Sequence, residues 1–147
     1  MAEAKGRPRT NASGDMKHSN KFSCWLPGEP VPQARPKVTR RGHVYYPAKS
    51  AAYRKRIAGL LELGREGRGT MPGPLKVYLT FCRTRPKSNK SKWPTVKPDI
   101  DNLAKQVIDA LMDAGVIYDD GQICELHCTK DWSDNPGVYV ETLTKEA

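Results

Sequence analysis

The chain has 147 residues, enough for one compact domain with a modest core but too few for two ordinary domains. Lys and Arg number 25 against 16 for Asp and Glu, and the formal charge of +9 favours a polyanionic partner over a neutral one. No apolar run approaches the roughly 18 residues of a membrane helix, and the N-terminus lacks the apolar centre of a secretory signal. We therefore expect a cytoplasmic protein that binds nucleic acid and carries one active site per chain.

Residues 1–20 are small, polar and weakly basic, with almost nothing to bury, and we interpret them as a flexible N-terminal arm. Residues 21–147 then form the folded domain. From Lys21 the sequence alternates between apolar and polar residues and stops at Pro27-Gly28, which predicts a short strand and a turn. Three prolines within residues 30–37 argue against a central strand there.

The next segment combines cations with the aromatic rings of Tyr45 and Tyr46. Such a mixture suits a phosphate backbone and exposed bases, although a solvated basic hairpin is the alternative. Lys97, next to an acidic motif described below, is a further candidate for DNA binding. The predicted DNA-binding residues are Arg35, Lys37, Arg40, Arg41 and Lys97.

The middle of the chain predicts a helix and a strand. Ser50 can cap a helix that runs to about Leu63 and ends at Gly64. Clean alternation over residues 75–82 predicts a strand with one buried face. A second basic loop, residues 83–92, ends at Trp93-Pro94; we interpret it as mobile and facing DNA, with plain solvent exposure as the alternative.

The most clearly periodic helix covers residues 102–114, and Gly115 stands at its stop position. A strand over about 122–130, a turn and a last strand over 138–144 complete the chain. The order is strand, helix, strand, helix, strand, strand, and neither GxGxxG nor a phosphate loop is present. This predicts an α+β single domain with a mixed β-sheet and two principal helices.

Four acids bracket that helix. Asp99 and Asp101 lie where an extended segment becomes helical, and extended geometry would point both to one side; Asp119 and Asp120 follow the helix. The helix is roughly 20 Å long and the return segment reaches ~13 Å, so the acids meet only if the helix tilts or ends early. Such a cluster needs a hard cation, Mg²⁺ or Mn²⁺. Lys105, one turn beyond Asp101, could stabilise charge on a phosphate.

The same residues allow structural interpretations. Asp99 or Asp101 can be an ordinary N-cap and Asp119-Asp120 an ordinary turn, which would leave a basic nucleic-acid-binding protein without catalysis. Cys124, His127 and Cys128 raise the idea of structural zinc. If Cys124 and Cys128 lie on one strand they are ~13 Å apart, whereas two thiolates on one zinc lie within about 4 Å, so this idea is disfavoured.

Three stretches carry a family resemblance: PDIDNLAK at 98–105, DAL at 109–111 and YDDGQI at 118–123. They closely resemble the signature of the RusA family of Holliday-junction resolvases. GEPVPQARPK at 28–37 resembles the opening motif of that family, with Lys37 where arginine is more usual. The similarity spans roughly residues 22 to 144, and the arm before Lys21 has no counterpart in it.

The resemblance implies roles for the acids. Asp99, Asp101 and Asp120 become the catalytic, metal-binding set, and Lys105 becomes the essential lysine. It also implies a homodimer, dependent on Mg²⁺ or Mn²⁺, that resolves four-way DNA junctions in recombination and repair in a bacterial or prophage setting. A two-fold dimer presents two sites related as paired cuts require. Because such a dimer carries twice the chain's +9, junction selectivity has to come from DNA shape.

Overall fold

Two helices lie on one face of a four-stranded sheet, and a small two-stranded hairpin lies beside them. The computed structural model describes residues 20–146, so the predicted arm, apart from Asn20, lies outside the described residues. The elements are β1 (Lys21–Pro27), β2 (Lys37–Val38), β3 (Val44–Tyr45), α1 (Ala48–Arg65), β4 (Leu75–Arg83), α2 (Ile100–Asp113), a 3-10 turn (Asp120–Gln122), β5 (Ile123–Trp132) and β6 (Gly137–Thr144).

The strand order in the sheet is β1-β6-β4-β5, and β4 and β5 are its parallel pair. Parallel neighbours need a crossover connection, and α2 supplies it. β6 pairs antiparallel with both β4 and β1, which confirms the predicted mixed sheet and the α+β class. Because β5 starts beyond the end of α2 and runs back beside it, the turn that precedes β5 lies alongside the exposed side of the helix.

Side-chain alternation explains the core. Leu75, Val77, Leu79 and Phe81 of β4 are fully buried, while the residues between them are half-buried, as the alternating pattern predicted. The predicted stripe of α2 is also confirmed. Its buried members are Leu103, Val107, Ala110, Leu111 and Ala114. Within residues 20–146, no helix combines the length and apolar character needed to cross a membrane.

The predicted start of α1 at a Ser50 cap is wrong. The helix begins at Ala48, and Pro47 is its N-cap residue, with extended backbone at φ −54° and ψ 141° and no side-chain capping hydrogen bond. Ser50 is buried instead, and its Oγ accepts hydrogen bonds from the backbone N–H of Ala34 at 3.2 Å and from Gln106 Nε2 at 3.1 Å. The helix passes Gly64 by one residue.

The boundaries of α2 also differ from the prediction. The helix begins at Ile100, so Asp101 lies in the first helical turn and only Asp99, at φ −72° and ψ 145°, is extended. The expectation that extended geometry points both acids to one side is therefore wrong. An acid in the first turn is favoured by the helix dipole, which explains the earlier start. Gly115 has φ of +73° and confirms the predicted stop.

Candidate active site

Asp101, Lys105 and Asp120 line one surface pocket of about 530 Å³. The first two come from α2, one helical turn apart, and Asp120 comes from the turn before β5. The apolar part of the wall includes Ala104, Ile108 and Leu126. The pocket extends along the side of α2 rather than across its N-terminus, so the chain does not have to return the full length of the helix to bring Asp120 to the pocket.

Asp99 lies in a second recess that adjoins the first. This open cleft of about 1260 Å³ contains both Asp99 and Asp101, so Asp101 joins the two recesses. Lys97 Nζ donates to Asp99 Oδ2 at 3.0 Å. The Lys97 side chain is 85% exposed and that of Asp99 50%, so solvent screens this pair and leaves the carboxylate available to another cation.

The adjacent acids Asp119 and Asp120 have different environments. Asp119 is the N-cap of the 3-10 turn: its Oδ2 accepts from the Gly121 N–H at 3.0 Å, and Gln122 Oε1 accepts from the Asp119 N–H at 3.0 Å in a reciprocal capping box. The Asp120 carboxylate forms neither a hydrogen bond nor an ion pair with any residue of the described part of the chain. Of these two adjacent acids, Asp120 is therefore the one whose carboxylate is free for chemistry in the pocket.

The N-cap interpretation fails for Asp99 in one respect. Asp99 occupies the N-cap position of α2, yet its side chain makes no capping hydrogen bond. Asp101 Oδ1 accepts from the backbone N–H of Asn102 at 2.9 Å and stays exposed. Neither carboxylate is consumed by the helix start.

Asp109 is the buried acid of this region and lies behind Lys105. Its Oδ2 accepts from Gln33 Nε2 at 2.8 Å and lies 3.7 Å from Arg54 NH1, while its Oδ1 lies 3.8 Å from Lys105 Nζ. The sequence placed Lys105 and Asp109 off the apolar stripe, and only Lys105 is exposed. No local pattern could reveal the burial of Asp109, because Gln33 is 76 residues away.

Lys130 is a second residue that the sequence did not single out. Its Nζ donates to the carbonyl oxygens of Val96 at 3.0 Å and Pro98 at 2.9 Å, which holds the backbone just before Asp99. Burial lowers the pKa of Lys130, Arg83 lowers it further, and Asp99 opposes the change.

The donor chemistry fits a hard divalent cation. Within residues 20–146, no three His, Cys, Asp or Glu side chains stand close enough to form a ready-made metal cluster. Mg²⁺ does not require one, because it keeps several waters and binds through one or two carboxylates together with substrate phosphate oxygens. The carboxylates of Asp99, Asp101 and Asp120 supply such oxygens along the two adjoining recesses.

The predicted basic segment forms a hairpin of β2 and β3, which we call the basic hairpin (residues 35–46). All its residues are exposed, and no acid occurs between Glu29 and Glu62. Gln33, just before the hairpin, ties it to α2, since the Gln33 N–H donates to Asn102 O at 3.1 Å. Arg35, Lys37, Arg40 and Arg41 therefore share this exposed segment, and Lys97 lies beside Asp99.

The described residues form an α+β domain that combines exposed carboxylates, a neighbouring lysine and a basic hairpin, a set of side chains suited to a metal ion and a polyanion. The chain belongs to the endodeoxyribonuclease RusA family, whose model matches residues 27–142. It is also similar to the uncharacterized protein YqaN of Bacillus subtilis (strain 168), with 36% identity over 136 residues that cover 82% of this chain and 92% of YqaN. The family resemblance seen in the sequence is confirmed.

Proposed function

We propose that this protein resolves four-way DNA junctions by paired hydrolysis of phosphodiester bonds, in DNA recombination and repair, with Mg²⁺ or alternatively Mn²⁺ as its cofactor. One observation carries the proposal. Asp101, Lys105 and Asp120 surround one pocket, and Asp99 lies in the adjoining cleft, in a member of an endodeoxyribonuclease family.

Each side chain has a role that follows from its position. Asp99, Asp101 and Asp120 would hold the metal, which when bound activates water and neutralises charge on the phosphate. Lys105 is exposed in the same pocket, and its ammonium would stabilise the charge that grows on the phosphate or on the leaving oxygen. The loose 3.8 Å contact with Asp109 leaves Lys105 free to approach the substrate.

Binding is assigned to cations outside the pocket. Arg35, Lys37, Arg40 and Arg41 of the basic hairpin would contact the phosphate backbone of a DNA arm. Lys97, 3.0 Å from Asp99, would contact a phosphate close to the bond that is cut. Each site cuts one strand, so paired cuts need a second site, and we propose a two-fold homodimer.

The test is cleavage of a synthetic four-way junction with Mg²⁺, with a linear duplex of the same sequence as control, read by denaturing electrophoresis. We expect paired nicks in the junction and an intact duplex.

The variant Asp101→Asn should bind the junction as the parent chain does and cut it more than about tenfold more slowly, because it loses a metal-binding charge but hardly changes shape. Retained cleavage would remove Asp101 from the site. Junction binding without any cleavage by the parent chain would make this a non-catalytic DNA-binding protein.

A further inference from the structure

We propose that the cleft beside Asp99 binds an unstacked nucleobase of the strand that is cut, with Trp93 as its stacking surface. This inference rests on the proposed function and adds to it a source of selectivity for branched DNA. The cleft lies between the segment that follows the second basic loop (residues 93–97), the start of α2 and residues 128–131 of β5. Its lining includes Trp93, Pro94, Val96, Lys97, Asp99 and Asp101.

Both apolar and charged side chains line the cleft. Trp93 and Val96 lie in it and are 56% and 43% exposed, so the cleft offers apolar surface to solvent. Asp99 and Asp101 also line it. A nucleotide has the same two parts, a flat base and a charged phosphate. A base stacked on Trp93 would leave its own phosphate near the carboxylates that we assign to cleavage.

The loop that carries Trp93 is tied down on both sides. Before Trp93, the carbonyl of Ser91 accepts from Trp132 Nε1 at 3.0 Å. After it, the carbonyl of Val96 accepts from Lys130 Nζ at 3.0 Å, and that of Lys97 accepts from Arg83 NH1 at 2.9 Å. A stacking surface that is already held in place loses little conformational freedom when a ligand binds. The sequence had predicted a mobile loop here.

Charge selects nucleic acid as the occupant. Lys92 Nζ lies over one face of the Trp93 ring, 5.6 Å from its centre, so a base would stack on the opposite face. Lys97 and Lys130 line the cleft together with Asp99, Asp101 and Asp131. Cations beside an exposed aromatic ring are the usual combination for single-stranded nucleic acid, because the ring stacks on a base and the cations contact its phosphates. The net charge of +9 argues in the same direction.

The cleft would also separate branched from linear DNA. A base in an intact duplex is paired and stacked on both sides, and extracting it has an energetic cost that is smallest where pairing is already disturbed. A branch point provides such bases. Entry of a base beside Asp99 and Asp101 therefore favours the cutting of junctions over duplex arms, even where both are bound equally well by the basic hairpin.

Photocrosslinking tests the contact directly. A four-way junction with 5-iodouracil at the branch point is irradiated with the full chain in the absence of divalent metal, and the crosslinked residue is identified by mass spectrometry. We expect a crosslink at Trp93 that disappears when the 5-iodouracil is moved to the middle of an arm. Trp25, 37% exposed on the other face of the sheet, is the internal control and should not react.

Two variants report on energetics. Trp93→Ala should weaken junction binding roughly tenfold, as expected for loss of one base–aromatic stack, and leave duplex binding unchanged; Trp93→Phe should restore most of the loss. A crosslink at Tyr45 or Tyr46 instead of Trp93, or an unchanged junction preference in Trp93→Ala, would overturn the inference. Cleavage by the parent chain is scored separately. A Trp93 crosslink without cleavage by the parent chain would support the base site and reject the nuclease. Normal junction-selective cleavage by Trp93→Ala would support the nuclease and reject the base site.

Discussion

The adjacent residues Asp119 and Asp120 have different structural roles. Asp119 caps the 3-10 turn through the Gly121 N–H, and Gln122 completes the turn by donating from Nε2 to the carbonyls of Met71 at 3.0 Å and Gly73 at 2.9 Å. Asp120 takes no part in these bonds and lines the pocket. The cap therefore orders the turn that carries Asp120.

This division predicts opposite effects for two variants. Asp119→Ala removes the cap and should reduce the free energy of unfolding by about 1 kcal/mol, with cleavage per folded molecule close to that of the parent chain. Asp120→Asn should leave thermal stability unchanged and reduce junction cleavage by more than about tenfold, because it removes a proposed metal ligand. Thermal unfolding and single-turnover cleavage measure the two effects. Loss of cleavage at Asp119 with none at Asp120 would shift the assignment by one residue.

The sequence was enough to single out the four acids around α2, but not to predict from residue spacing which of Asp119 and Asp120 lines the pocket. Composition and spacing left Asp119 and Asp120 equivalent, and only the family resemblance favoured Asp120. The environments of Asp109 and Lys130 were out of reach for another reason. Asp109 is bonded to Gln33, 76 residues away in the sequence. Lys130 is bonded to Pro98 and Val96, which are 32 and 34 residues away. Such contacts depend on how the elements pack, which local patterns do not contain.

At the scale of elements, periodicity identified both helices and the four strands of the main sheet, but their ends less well. α2 starts two residues before the predicted position because Asp101 in the first turn interacts favourably with the helix dipole, an effect that apolar periodicity does not register. The strand order β1-β6-β4-β5 was also not predictable. It depends on β6 passing between β1 and β4, which no turn signal specifies.

The basic hairpin is the element whose role is easiest to isolate. Replacing Arg35, Lys37, Arg40 and Arg41 with alanine should leave the fold intact, since all four side chains are exposed and none belongs to the core. Each lost phosphate contact should flatten the plot of log affinity against log salt by about 0.9 on duplex arms, whatever the base sequence. Titrating a labelled junction at several salt concentrations gives the slope.

A separate measurement keeps that result interpretable. Mn²⁺ binding by calorimetry should be the same in the quadruple alanine variant and in the parent chain, because the hairpin contributes no residue to the two recesses that hold the acids. An unchanged salt slope would show that the hairpin does not touch DNA. The second basic loop, with Arg85, Lys87, Lys90 and Lys92 exposed, would then be the better candidate.

At the scale of the whole molecule, we assign the attraction of DNA to net charge and the selection of junctions to geometry. A net charge of +9 per chain would attract any DNA, with a steep dependence on salt, and would not by itself distinguish a junction from a duplex. Selection has to come from the shape of the substrate. The Trp93 cleft would sense an open base within one subunit, and a two-fold arrangement of two sites would sense the symmetry of the junction.

The dimer leads to a prediction about products. The parent chain should sediment at about twice its 16.4 kDa, free and on junction DNA. Heterodimers of the parent chain and Asp101→Asn, co-expressed with two different tags and purified through both, should carry one competent site. They should nick one strand and accumulate nicked junctions, whereas parent homodimers release two duplexes; native and denaturing gels run in parallel distinguish these products. Heterodimers that release duplexes as fast as the parent, or cleavage by a species that sediments as a single chain, would show that the two cuts do not come from paired subunits.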